Sequence, residues 1–170
     1  KGTSKNSFFL NKTDNSEKFL KEAEKLILNQ RYPEAIEKIN EVLTISSNNY
    51  FAHYLKGVSY LYLNKKQQAK ISFLKAIEID SGYSKSYYEL SKIYKDDNLQ
   101  ESEKYFLKAI EIENNNEFPE IDILNIYYNN IYTLSKSNVI VNLINSEIIK
   151  YPKNYQLYRI KAKLEFNRGD

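Results

Sequence analysis

The chain has 170 residues, 42% hydrophobic and 28% charged, with 25 basic against 22 acidic side chains and a formal net charge of +3. That composition suits a globular domain with a core, and the charge is spread along the chain rather than gathered in a basic arm, so nucleic acid is not an indicated partner. With no Cys there is no disulfide, thiolate zinc site or cysteine nucleophile, no run of about 18 apolar residues offers a membrane span, and four Gly with three Pro are too few for a turn-rich β chain.

Residues 1–15 are polar apart from Phe8, Phe9 and Leu10 and show no helical period, so they read as a flexible leader. The absence of an initiating Met, together with that leader, suits the mature part of an exported or lipid-anchored bacterial envelope protein, and nearly as well a trimmed cytoplasmic one. Asn11-Lys12-Thr13 has the spacing of an N-glycosylation acceptor but no secretory context to support it.

From Ser16, a plausible N-cap, Phe19, Leu20, Ala23, Leu26 and Ile27 step at threes and fours, the period of a helix with one apolar face. A turn at Asn29–Tyr32 ends it, Pro33 fits the first turn of the next helix, and Ala35, Ile36, Ile39, Val42 and Leu43 carry that helix to about Ser46. Ser47-Asn48-Asn49 then offers a cap for a second pair. Two short helices joined by a tight turn make an antiparallel hairpin.

The heptapeptide FLKAIEI at Phe73–Ile79 returns at Phe106–Ile112, 33 residues on, so the hairpin is a repeating unit. A unit started at Tyr50 places Gly57 at its eighth position, Tyr60 at its eleventh, Ala69 at its twentieth, Phe73 at its twenty-fourth and Ala76 at its twenty-seventh. The unit from Ser16 repeats this with Ala23, Leu26 and Ala35. The unit from Ser84 repeats it with Tyr87, Ser91, Tyr94, Ser102, Phe106 and Ala109, one residue short at Asp96-Asp97-Asn98. These residues resemble the tetratricopeptide repeat family. The resemblance implies an all-α fold, a right-handed superhelix of antiparallel helix pairs with about four and a half repeats: units at about 16–49, 50–83, 84–116 and 117–154, and a final helix at 155–168. The fourth unit departs from the pattern, with Tyr128, Ile140 and Glu147 where small residues belong. Its helices are expected through Ile121, Leu124, Tyr128, Ile131 and Leu134, then Val141, Ile144 and Ile148. The final helix carries Leu157, Tyr158, Ala162 and Leu164 and runs into a Gly169 turn. Leu157, Tyr158, Ile160, Leu164 and Phe166 leave apolar groups on more than one side, so something should cover it, further repeats, a partner or a second copy.

No catalytic, cofactor or metal constellation is visible. His53, the sole His, reads as a packed imidazole, and Glu101, Glu103, Glu111 and Glu113 read as solvated helix faces. An enzyme is therefore not expected. The family resemblance implies that positions two, five, nine, twelve and thirteen of each unit's first helix line a concave groove. The candidate groove residues are Leu20, Ile27 and Leu28 from the first unit, Phe51, Tyr54, Val58, Leu61 and Tyr62 from the second, and Tyr88, Lys92 and Lys95 from the third. The carboxylate clamp of the chaperone-binding members would need basic or amide side chains where Leu20, Glu24, Leu55, Lys85 and Glu89 stand, so that role is not carried over.

The expected function is a non-enzymatic scaffold whose groove takes an apolar helix or extended peptide of another protein, with Tyr54 and Tyr62 projecting from one helix face as anchors. The alternatives are a self-associating or accessory repeat domain of a larger protein, its groove filled by its own N-terminal segment or by a second copy, with self-association through the final helix.

Overall fold

The computed structural model describes residues 4–114, 138–153 and 155–169, and every regular element in them is a helix. The elements are α1 (Ser4–Leu28), α2 (Tyr32–Ile45), α3 (Tyr50–Tyr62), α4 (Lys66–Ile79), α5 (Ser84–Tyr94), α6 (Leu99–Asn114), α7 (Asn138–Lys150) and α8 (Tyr155–Arg168). Each helix from α1 to α5 packs on the next, α1 also touches α3, and α7 packs on α8. The first helices α1, α3 and α5 thus form an inner layer and the second helices α2, α4 and α6 an outer one, an all-α solenoid of hairpins.

The first helix corrects one expectation. It begins at Ser4 rather than near Ser16, and the stretch read as a leader is helical from Ser4 onward. The reason is propagation: no Gly or Pro stands between Thr3 and Leu28, and each residue added to an existing helix gains a hydrogen bond without a new nucleus. Ser16 is then an interior residue, almost buried, and not a cap. The side chains of Phe8, Phe9, Leu10 and Ile140 lie outside the described residues, as does the helix expected through Ile121, Leu124, Tyr128, Ile131 and Leu134.

The turns explain the spacing of the units. Gln30 and Asn64 occupy the same slot of successive units and both adopt left-handed backbone, with φ of 60° and 56°. At each, two amides close the helix end: Gln30 and Arg31 N–H donate to Ile27 and Leu26 C=O, and Asn64 and Lys65 N–H to Leu61 and Tyr60 C=O. This is the Schellman arrangement, with the left-handed residue just past the helix. The third turn is one residue shorter, and among its described residues 95–98 none has positive φ; Asn98 N–H donates instead to Tyr94 C=O. α2 has Pro33 in its first turn, and the Asn49 side chain caps α3 by accepting from Ala52 N–H at 2.9 Å.

Small residues set how closely the hairpin helices approach. Ala23, Ala35, Ala69 and Ala76 have no exposed surface, and Gly57, also buried, faces the Phe73 ring, which is fully buried. A Cβ at Gly57 would stand 2.6 Å from Phe73 Cε1, so the glycine is there because a ring fills the space a methyl would need. Two core clusters result, one of Ala23, Ile39, Val42, Ala52 and Leu55, the other of Ala69, Phe73, Leu90 and Ile93, with Tyr54 packing on both.

The third, sixth and tenth positions of a first helix face the preceding unit. In α3 they are Ala52, Leu55 and Ser59, all buried, whereas in α1 they are Lys18, Lys21 and Lys25, all exposed.

Candidate functional site: the inner layer of α1, α3 and α5

The candidate groove residues fall into three groups. Leu28 and Tyr62, both at the thirteenth position of their units, are 82% and 63% exposed, so two large apolar side chains stand open at the C-terminal ends of α1 and α3. Tyr62 lies flat on Tyr32 of α2, centroids 4.7 Å apart and planes 3° from parallel, which fixes its ring across the junction of the first two units. Leu20, Ile27, Phe51, Val58 and Leu61 are half-buried: each packs one side on a core cluster.

Tyr54 belongs to the seam between units. Its ring lies 5.8 Å from Phe73 and 5.1 Å from Tyr83, the latter edge to face, and Phe51 stacks beside it at 6.1 Å. Tyr54 and Tyr62, expected on one face, meet different neighbours. Eight residues at about 100° each overshoot two turns by about 80°, enough to set one ring against Phe73 and Tyr83 of its own unit and the other against Tyr32 of the first. Tyr83 and Tyr32 are contributors that the repeat pattern did not flag. Both sit at unit or helix boundaries, outside the slots the family pattern reads. The aromatic letters bracketing each helix were the available signal.

The third unit supplies the polar end. Lys92 Nζ is 2.7 Å from Glu89 and lies 5.0 Å over the Tyr88 ring, so this ammonium is already paired and half covered. Lys95, at the C-terminal end of α5, is exposed. The candidate groove residues run from apolar on α1 and α3 to a mixture of aromatic and basic on α5.

Titratable groups elsewhere behave as packing groups. His53 Nε2 lies 3.1 Å from Ser47 C=O, as a neutral Nε2–H donor, and burial, with Lys56 and Lys75 nearby, holds its pKa below the usual value despite that bond. Lys56 crosses to α2, where its Nζ donates to Asn40 Oδ1 at 2.8 Å, and burial lowers its pKa. Glu113 corrects the expectation of a solvated carboxylate: it is 2% exposed and accepts a hydrogen bond from Ser84 Oγ. Ser84 opens α5, so the carboxylate lies at the positive end of that helix, which offsets the cost of its burial. No described helix is long and apolar enough to cross a membrane.

A family model described as tetratricopeptide repeat matches residues 52–83 and 84–116, the second and third units. No curated protein matches the chain in sequence. Among solved structures, the second TPR of Spaghetti (RPAP3), bound to the HSP90 peptide SRMEEVD, is similar with a TM-score of 0.59 at 19% identity, over 63% of this chain and 99% of that one. The Sgt2 TPR domain from Aspergillus fumigatus gives 0.58 at 21% identity, over 65% of this chain and 72% of that one. MamA gives 0.61 at 15% identity, over 96% of this chain and 84% of that one. At these identities the likeness is one of fold.

Proposed function

We propose that this tetratricopeptide repeat protein is a non-enzymatic interaction scaffold, which holds an apolar helix or extended segment of a partner protein against the inner layer formed by α1, α3 and α5. The observation that carries this reading is the pair Leu28 and Tyr62. They are copies of one slot in successive units, open to solvent at 82% and 63%. Exposed aromatic and aliphatic side chains side by side on a concave layer are the features that anchor a partner. The similar Spaghetti domain holds a peptide, and a peptide site on the same fold supports the same use here. Its ligand is acidic. Here Leu20, Glu24, Leu55 and Glu89 stand where a carboxylate clamp needs basic or amide groups, and Glu89 already pairs with Lys92, so the partner segment is apolar rather than acidic.

Photo-crosslinking tests the reading. Benzoylphenylalanine placed at Leu28 or Tyr62 in the cell of origin is expected to give one discrete covalent adduct with another polypeptide. The same probe at Ile71, an equally bare apolar side chain at 67% exposure on the outer helix α4, is expected to give none. Equal adducts at all three positions, or none at Leu28 and Tyr62, would move the function off the inner layer.

A further inference from the structure

The corners where a second helix gives way to the next first helix can be compared along the chain. Ser46, Asp80 and Tyr151 mark one point of it: their N–H groups donate to Val42, Ala76 and Glu147 C=O, four residues back, at 2.8, 2.9 and 2.9 Å. Aligned there, the first corner reads Thr44-Ile45-Ser46-Ser47-Asn48 and the second Glu78-Ile79-Asp80-Ser81-Gly82. The corner between α7 and α8 reads Ile149-Lys150-Tyr151-Pro152-Lys153.

The two earlier corners lie between complete hairpins, so they show what neighbouring units leave open. Thr44 and Glu78 are exposed, as are Ser47 with Ser81 and Asn48 with Gly82, while Ser46 is exposed and Asp80 half-buried. The matching positions between α7 and α8 are therefore surface positions of this solenoid with both neighbours in place.

What differs is the chemistry. Where the earlier corners put hydroxyls and carboxylates, this one puts Ile149, 80% exposed, and Tyr151, 56% exposed, with Pro152 and Lys153 also open. Lys150 Nζ lies 2.8 Å from the buried Glu147 carboxylate, and the Tyr158 hydroxyl donates to Pro152 C=O at 3.1 Å, tying the turn to α8. Residues 148–164 hold five basic side chains, Lys150, Lys153, Arg159, Lys161 and Lys163, and no acidic one. The rest of the chain, with 25 less five, or 20, basic against 22 acidic side chains, is net negative at −2.

The occupant follows from shape and charge. A convex turn offers no groove for a peptide, and five residues are a fraction of the roughly 20–30 that a stable protein interface takes from each side. A second copy docked by a two-fold would set Lys150 and Lys153 against their own images. A bare aliphatic side chain, a tyrosine beside it and ammonium groups at the rim suit the headgroup layer of an anionic bilayer. There the aliphatic enters, the phenol lies at the polar boundary and the lysines meet lipid phosphates.

We propose that the Ile149–Lys153 corner is a peripheral membrane contact, which rests reversibly on an anionic lipid surface. It goes beyond the scaffold reading and uses none of the inner-layer residues.

Sedimentation of the full chain with vesicles of equal parts phosphatidylglycerol and phosphatidylcholine, against vesicles of phosphatidylcholine alone, tests it. Binding is expected to the anionic vesicles and at least about fivefold weaker to the neutral ones. Ile149→Glu with Tyr151→Asp gives this corner the pair that the second corner already carries in Glu78 and Asp80. It is expected to weaken binding about tenfold or more while the circular dichroism spectrum and melting midpoint stay unchanged. Lys153→Gln is expected to weaken binding about fivefold, and Ile71→Glu, at a bare aliphatic on α4, to leave it unchanged. No sedimentation with anionic vesicles, equal binding to both kinds, or binding that the double variant leaves unchanged overturns the proposal. So does self-association that the double variant abolishes, because the occupant would then be a second copy. A chain that gives no crosslink at Leu28 and Tyr62 yet sediments with anionic vesicles upholds this contact and removes only the scaffold reading.

Discussion

Replacing Gly57 by Ala sets two known effects against each other. In an exposed helix the change gains about 0.5–1 kcal/mol, because glycine loses more backbone freedom on folding. Here the new Cβ would meet three atoms of the Phe73 ring at 2.6, 2.7 and 2.8 Å, about 1 Å inside ordinary carbon contact. The ring has no exposed surface and its cluster includes Ala69, Leu90 and Ile93, so it cannot swing into solvent; α3 and α4 must part or the ring must leave its rotamer. Overpacking of this kind costs about 1–3 kcal/mol, so the net expectation is a loss of about 1–2 kcal/mol. For a chain of this size that is a fall of about 2–8 °C in the midpoint of thermal unfolding, read by circular dichroism at the helical band. The double variant Gly57→Ala with Phe73→Leu is the internal check. Leu vacates the ring edge, so the penalty of the alanine should shrink when measured against Phe73→Leu alone. A Gly57→Ala single variant that melts higher than the parent would show that helix propensity wins and that the close approach of α3 and α4 is not what selects glycine.

Four further outcomes follow from the same packing. Ala69→Leu or Ala76→Leu, each at a position with no exposed surface, should cost about 1–3 kcal/mol, and unchanged melting in both would refute the register of the units. Tyr54→Ala, which empties the seam between Phe73 and Tyr83, should cost about 2–4 kcal/mol, whereas Tyr62→Ala should cost no more than the Tyr32 stack, about 0.5–1.5 kcal/mol; equal melting shifts would refute that division. Gln30→Gly should stabilise by about 0.5–1 kcal/mol, since Gln holds a left-handed φ of 60°, and Asn64→Gly by less, since Asn tolerates that region; a lower midpoint for Gln30→Gly would refute the turn geometry. The imidazole of His53 has its pKa lowered from 6.5 by burial first, so the unfolded chain takes up protons before the folded one does. Stability present above pH 6.5 is therefore lost as the pH falls toward the folded value, and His53→Gln should flatten the slope of midpoint against pH in that window.

The hairpins were legible because they depend on local spacing. Ala23, Gly57 and Ser91 recur at one slot, and steric exclusion beside Ile39, Phe73 and Phe106 leaves few alternatives there. The missing residue in the third turn was equally visible, although its consequence, the loss of the left-handed residue, is a backbone matter that no side-chain letter states. The start of α1 was not legible, because an apolar period reports burial and not helicity, and a helix once formed can run on without that period. Glu113 escaped for a related reason: a carboxylate is read as solvated unless its partner is known, and Ser84 lies 29 residues away. The different neighbours of Tyr54 and Tyr62 follow an angular remainder of about 80°, which spacing by whole turns conceals.

Lys18, Lys21 and Lys25 have a consequence beyond the first unit. A first helix that resembled α3 at these positions could accept a hairpin of another copy as its neighbour, a heterologous contact that repeats without closing and so builds fibres. At the positions where α3 buries Ala52, Leu55 and Ser59, α1 would have to strip water from three ammonium groups, at several kcal/mol each by the effective penalty for burying an unpaired ion. The lysines therefore act as a guard: this face of α1 is ill suited to receiving a hairpin of another copy.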